Sequence, residues 1–330
     1  MITTDRLPKE FTMRTPTLDD IEAAYEVVHA CDMVDDGIHD HTLEEFRLVW
    51  QEPGFNLATD SWCVFSPTGQ LVGVADTENS EHVRVYAMVR VHPDFRHQGI
   101  EEYLLGLTEA RARQHIAEAA PEARVTLNNW FSHNDTSLVD ALKRTGYTFS
   151  RSYWRMQIDL EKTPATPQWP QGMTVSTLAV GKEERTVFEM VDQAFQDHWG
   201  HMPASFEQWK HWHFNASFDP SLWFLAFEGD ALAGAILCRY YEDLELGWVG
   251  QLAVLRSWRR KGLGMALLLH AFGELYQRGS YKIGLGVDSQ NLTGATRLYE
   301  RAGMHIALQH DTYQKELRAG VERSTQSITV

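Results

Sequence analysis

Apolar and polar positions follow one order along this chain, and that order occurs twice. Alternation at 12–15 and again at 173–178 predicts an opening strand, and helical spacing at 18–30 and 182–195 predicts an amphipathic helix after each. Pro67-Thr68-Gly69 and Glu228-Gly229-Asp230, set between apolar runs, predict a hairpin in each half. Long strands are expected at 84–91 and 246–254, and apolar helices at 100–114 and 263–277. Further strands are expected at 123–128 and 281–287, and short helices at 137–144 and 293–301. Gly146 and Gly303 stand where a glycine ends the short helix, before a closing strand. The alternation predicts an α/β (α+β) fold, a mixed twisted sheet flanked by helices.

The halves also match in residue identity. Trp62–Gly73 is echoed 161 positions later by Trp223–Gly234, and Val91-x7-Gly99 163 later by Val254-x7-Gly262. Asn134-x11-Gly146 returns 157 later as Asn291-x11-Gly303. Offsets this steady mark a tandem repeat. Pro164, Pro167 and Pro170 lie between the copies and favour an extended linker. The expected organisation is a domain over 1–160, a linker over 161–172, a second domain over 173–318 and a flexible tail over 319–330.

Composition narrows the class. The 330 residues suffice for two ordinary domains, and 43% hydrophobic content supports packed cores. A formal net charge of -15 argues against nucleic acid as a partner. It fits a cationic or amine-bearing substrate, although a solvated acidic surface is the commoner explanation. No apolar run reaches the roughly 18 residues of a membrane span, and the first ten residues contain no secretory h-region. Cys31, Cys63 and Cys238 form no CxxC pair. A soluble cytoplasmic protein without membrane partner or metal is expected; these features leave the oligomeric state open.

The chemistry concentrates at Val254-Leu255-Arg256-Ser257-Trp258-Arg259-Arg260-Lys261-Gly262-Leu263-Gly264. There a strand ends, a basic loop turns and glycines open an apolar helix. Glycines allow close backbone approach, and the unpaired N–H groups of a helix start, with its dipole, suit a diphosphate. No Gly-Lys-Ser/Thr follows, which excludes a Walker A loop. Gly284-Leu285-Gly286 lacks a third glycine and reads as a crowded backbone or a place of close ligand approach. A second element runs from Asn291 to Met304. Asn291 can cap the helix or bond a ligand amide, and Tyr299, two turns on, is a core aromatic or a functional phenol.

With LAV-x4-RRKGLG and N-x7-YERAGM on the page, the sequence resembles the GNAT superfamily of N-acetyltransferases, over nearly the whole chain as a tandem pair. The layout is similar to that of mycothiol synthase and related bacterial double-domain proteins. The resemblance implies acetyl-CoA as co-substrate, with its pantetheine arm along Leu252, Ala253 and Val254. It implies the pyrophosphate on the amides of Arg260, Lys261, Gly262, Leu263 and Gly264, a phosphate contact from Arg259, and a pantetheine contact from Asn291. The reaction it implies is direct attack of an amine on the thioester, the carbonyl polarised by the N–H of Ala253 or Val254 and the thiolate protonated by Tyr299. Glu245, with Asp243 behind it, is the candidate base, or else part of a solvated hairpin edge. Trp248 stands where the mycothiol synthase-like proteins carry an acid.

The first copy departs at decisive points: Glu101 aligns with Gly264 and Leu142 with Tyr299, while Asn134 is kept and could cap the next helix. It is expected not to be catalytic. Asp197-His198-Trp199-Gly200-His201 and His211-Trp212-His213 fit no standard metal spacing. Asp197, His198 and Trp199 are candidates to line an acceptor pocket, with ordinary helix packing as the alternative. The acidic stretch Asp32–His41 lacks EF-hand spacing and reads as an exposed loop. The leading expectation is acetyl transfer to an amine of a small molecule in the second domain. A non-catalytic acyl-CoA-binding or sensory module, and acetylation of a protein or peptide amine, are the alternatives.

Overall fold

The computed structural model describes residues 7–39 and 41–327. The chain forms two compact units: one holds residues up to Ser152 together with Gln309–Arg323, the other Tyr153–Leu308 and the segment from Ser324.

In chain order the first copy runs β1 (Thr12–Arg14), α1 (Ile21–Asp35), α2 (Leu43–Trp50), α3 (Leu57–Asp60), β2 (Ser61–Phe65), β3 (Leu71–Ser80), β4 (Arg84–Val91), α4 (Ile100–Gln114), β5 (Val125–Ser132), α5 (Thr136–Arg144) and β6 (Thr148–Asp159). The second runs β7 (Met173–Thr177), α6 (Glu184–Phe195), α7 (Phe206–His213), β8 (Trp223–Glu228), β9 (Ala231–Tyr241), β10 (Leu246–Val254), α8 (Leu263–Gln277), β11 (Lys282–Asp288), α9 (Ala295–Arg301) and β12 (His305–Arg318).

The first unit's sheet has the order β1-β2-β3-β4-β5-β12, antiparallel except for the parallel pair β4–β5. Ile100, Leu104 and Leu105 of α4 bury against Val72, Val85 and Leu127 on one face, and Val28, Phe46 and Trp50 cover Cys63 and Val74 on the other. The second unit repeats the plan as β7-β8-β9-β10-β11-β6, with β10–β11 parallel. Leu268, Phe272 and Leu275 of α8 recur at helical spacing and bury on one face; Val187, Trp209 and Trp223 pack on the other. The fold class is the expected mixed sheet with helices on both faces.

The boundaries differ from the expected 160, 172 and 318. Tyr153–Asp159 of β6 pair antiparallel with β11, and β12 pairs with β5, so each copy's last strand joins the other unit's sheet. Alternation identifies a strand but not its partner, which is why the repeat did not reveal this. The expected flexible tail is also tethered over part of its length. Val321 bonds through its backbone to Glu122 and Arg124, and Thr325 to Gly200 and His201; residues 328–330 lie outside the described residues. Asp32 and Asp35 are not in an exposed loop: Asp32 lies 3.0 Å from the His41 ring and Asp35 2.7 Å from Arg96. Asp40 lies outside the described residues.

Candidate functional site

In the second unit β10 and β11 pair from Leu246↔Lys282 to Val249↔Leu285 and then part. At that point β10 carries a bulge: Val249 opposes Cys238, Gln251 opposes Leu237, and Gly250 opposes no residue of β9. Beyond it, Gln251–Val254 keep partners on β9 alone. Leu255 N–H donates to Ala233 of the β9 side, and the Ala253 carbonyl lies against Gly234, where a Cβ would meet it at 2.8 Å. By alternation, the backbone groups of Leu252 and Val254 face the open side and those of Ala253 face β9. Of the two amides expected at the carbonyl, Ala253 N–H is committed to the ladder and Val254 N–H faces the open side.

The basic loop follows. Arg260 takes φ 60°, Gly262 takes φ 92° as the residue before α8, and no side chain caps the helix start. Arg260, Lys261 and Gly262 are exposed, while the Leu263 side chain is buried in the core. Gly264 sits between the end of β10 and α9, so that a Cβ there would lie 3.4 Å from Leu298 and 3.8 Å from Val254. This contact brings the loop and the Asn291–Met304 element together.

Arg259 is not available to a phosphate. Its Nε donates to Val254 O at 2.9 Å, Nη1 to Asp197 at 2.5 Å and Nη2 to Ala194 O at 2.8 Å. Asp197, only 2% exposed, also accepts from Arg256. The hydrogen bond from Arg256, offset by burial and joined by that from Arg259, holds its carboxyl down at about 2. Asp197 is therefore a clamp on the loop and not a pocket wall, because both its oxygens are engaged. The same clamp exists in the first unit, where Arg96 bonds Asp35 at 2.7 Å through both Nη atoms and Val91 O through Nε at 3.3 Å.

Asn291 Oδ1 accepts from Thr293 N at 2.8 Å and Ala295 N at 3.2 Å, so its carbonyl caps the turn into α9. In the first copy Asp135, not Asn134, caps the matching helix, through Leu138 N at 3.0 Å. Tyr299 is 8% exposed, and burial pushes its phenol up to about 12. Among the described residues its hydroxyl has no hydrogen-bond partner. His198 is half-buried; burial, then Arg259 and His201, lower it to about 4. Trp199 Nε1 donates to Gln326 at 2.9 Å.

Glu245 lies at the other end of β10, exposed and at φ 48°. It lines a cleft of about 330 Å³ with Asp159, Glu161, Tyr281 and Lys282. Leu252 lies seven positions further along the chain, roughly 23 Å away at strand rise, which is too far for a base acting at the open edge. The Asp243 side chain lies outside the described residues. Over Gly284, a Cβ would come within 2.9 Å of the Trp248 ring, so that glycine accommodates an indole, not a ligand.

The first unit differs where it counts. β3 and β4 pair without interruption from Gly73↔Val91 to Ser80↔Arg84, with no bulge. Glu101, 3% exposed, turns its carboxylate into the loop and accepts from His97 N at 3.1 Å and Ser137 Oγ at 2.6 Å. Its own side chain occupies the loop that the second unit leaves open. Gly250 was missed by sequence reasoning, although the repeat offset of 161 at Trp62/Trp223 and 163 at Val91/Val254 registers inserted residues. The open loop, uncapped helix start and half-paired strand suit an anionic ligand continued by a peptide-like arm.

The chain is similar to several known proteins. The Acetyltransferase (GNAT) family pattern matches residues 185–304. Mycothiol acetyltransferase of Thermobispora bispora is 30% identical over 219 residues, covering 64% of this chain and 70% of that protein. Mycothiol acetyltransferase of Stackebrandtia nassauensis is 29% identical over 280 residues, covering 81% and 84%. A GCN5-related N-acetyltransferase from Sphaerobacter thermophilus superposes with a TM-score of 0.82 at 34% identity, over 97% of this chain and 100% of that one. A tandem GNAT protein from the clavulanic acid biosynthesis pathway shares the fold with a TM-score of 0.68 at 14% identity, over 94% and 100%. The chain belongs to the GNAT acetyltransferase family.

Proposed function

We propose that the second unit transfers an acetyl group from acetyl-CoA to an amine of a small-molecule acceptor by direct attack. The observation that carries this is the parting of β10 from β11 at the Gly250 bulge, directly before an unblocked Arg260–Gly264 loop. The pyrophosphate rests on the amides from Arg260 to Gly264, with Arg260 and Lys261 adding positive charge. The pantetheine arm pairs with the open side of Leu252 and Val254, and the Asn291 amide nitrogen contacts it. Val254 N–H polarises the thioester carbonyl.

The acceptor nitrogen attacks the carbonyl carbon, the C–S bond breaks, and the sulfur leaves with a proton from Tyr299. The new amide nitrogen releases its own proton to solvent. Because Glu245 is remote from this edge, the acceptor enters as free amine. His198 and Trp199 line its approach. Similarity to the mycothiol acetyltransferases supports a small, polar amine as acceptor, while Trp248 differs from the acid at that place in the mycothiol synthase-like proteins.

A thiol-release assay with acetyl-CoA over a panel of small amines and peptides, with product mass spectrometry, tests this. The expected result is stoichiometric CoA and acetylated small amine; acetylated peptide only, or CoA bound without any release, overturns it.

A further inference from the structure

The β3–β4 hairpin of the first unit turns through Glu81 and His82, with φ 52° and 57°. Hairpin tips usually give that conformation to glycine or asparagine, so two other residues here are held against preference. Asn79 Oδ1 accepts the His82 N–H at 3.3 Å and fixes the turn. The effect is to aim His82 at the segment following α4. His82 Nδ1 stands 2.8 Å from His115 Nδ1, and His82 Nε2 stands 3.6 Å from Glu118 Oε2.

His115 is only 3% exposed, yet its imidazole faces another imidazole through the same atom type. A single proton can serve that contact, so one ring donates while the other directs a lone pair into the shared space. One ligand atom from each of His82, His115 and Glu118 lies within 4.8 Å of the others, the one such grouping among the described residues. The nearby Arg111 is neutralised by Asp60, at 2.6 Å.

We propose that His82, His115 and Glu118 bind a divalent transition-metal ion of the zinc type. Two imidazoles and a carboxylate are borderline ligands that suit Zn²⁺, with bonds of about 2.0–2.2 Å and a water in the fourth position. The ion replaces the shared proton between the rings, and the exposed hairpin tip yields the small separation needed. It ties the hairpin to the end of α4 and stabilises the unit by mass action, without touching the acetyl-transfer site.

Titration of the metal-free full chain with Zn²⁺ and Co²⁺, followed by calorimetry and by visible Co²⁺ absorption, tests the site. One ion per chain with tetrahedral Co²⁺ bands is expected, together with a raised melting temperature. His82→Asn keeps the left-handed turn residue type and Glu118→Gln changes an exposed side chain, so both variants retain the fold. Each is expected to weaken binding about tenfold or more. Absence of binding, or binding of undiminished affinity in either variant, overturns the proposal.

Discussion

Arg259 Nη1 stands 2.5 Å from Asp197 Oδ2, and in the earlier copy Arg96 Nη1 stands 2.7 Å from Asp35 Oδ1. The guanidinium in each case also reaches back through Nε to the carbonyl that ends the long strand, Val254 or Val91. The repeat has thus kept a device that fastens the loop to the strand, even where the loop itself is blocked by Glu101.

Asp197→Asn is expected to destabilise the protein by about 3 kcal/mol in urea unfolding, because a partly buried guanidinium loses its counter-ion. The Asp197 carboxyl is held down at about 2 from the ordinary 3.8. A depressed carboxyl contributes stability above its unfolded value and loses it as pH falls toward its folded value. The wild-type protein should therefore lose stability relative to Asp197→Asn between pH 3.8 and about 2. Equal stability at neutral pH, or parallel acid profiles, would sink the clamp.

Deleting Gly250 removes the residue that opposes nothing on β9 and gives β10 the uninterrupted register of β4. Acetyl transfer should fall about a hundredfold or more, the scale of losing one carbonyl-polarising donor, with an unchanged circular dichroism spectrum. Retained turnover in a folded deletion variant would show that the bulge is not required.

The long strands at 84–91 and 246–254 and the helices at 100–114 and 263–277 were legible because their apolar period is strong and undisturbed. So was the loop, since glycine and arginine at a strand–helix junction have few other uses. The exchange of β6 and β12 was not legible, because backbone hydrogen bonds carry no sequence label. Asp197 misled because a carboxylate beside His198 and Trp199 looks like a pocket in sequence. Its two arginine partners lie 59 and 62 residues away. Glu245 misled for a simpler reason, that strand membership says nothing about distance from the open end.

Tyr299→Phe should lower kcat about a hundredfold, within the usual range for a lost proton donor, with little change in KM for acetyl-CoA. Burial pushes the phenol up to about 12, so it carries its proton throughout the neutral range. Steady-state thiol release measures this, and an unaltered kcat would remove Tyr299 from the reaction.

Glu101→Ala leaves the His97 N–H and the Ser137 hydroxyl without the carboxylate they share. A loss of about 1–3 kcal/mol is expected, read by thermal unfolding, with acetyl transfer unchanged. A variant as stable as the parent but slower in turnover would mean that the first unit takes part in catalysis.

One unit of the tandem pair is expected to hold acetyl-CoA and the other not. Isothermal titration of CoA into the full chain should give one molecule per chain, and Gly264→Glu, which places in the second loop the residue found in the first, should abolish it. Two CoA bound with equal affinity, or full binding by Gly264→Glu, would contradict the account.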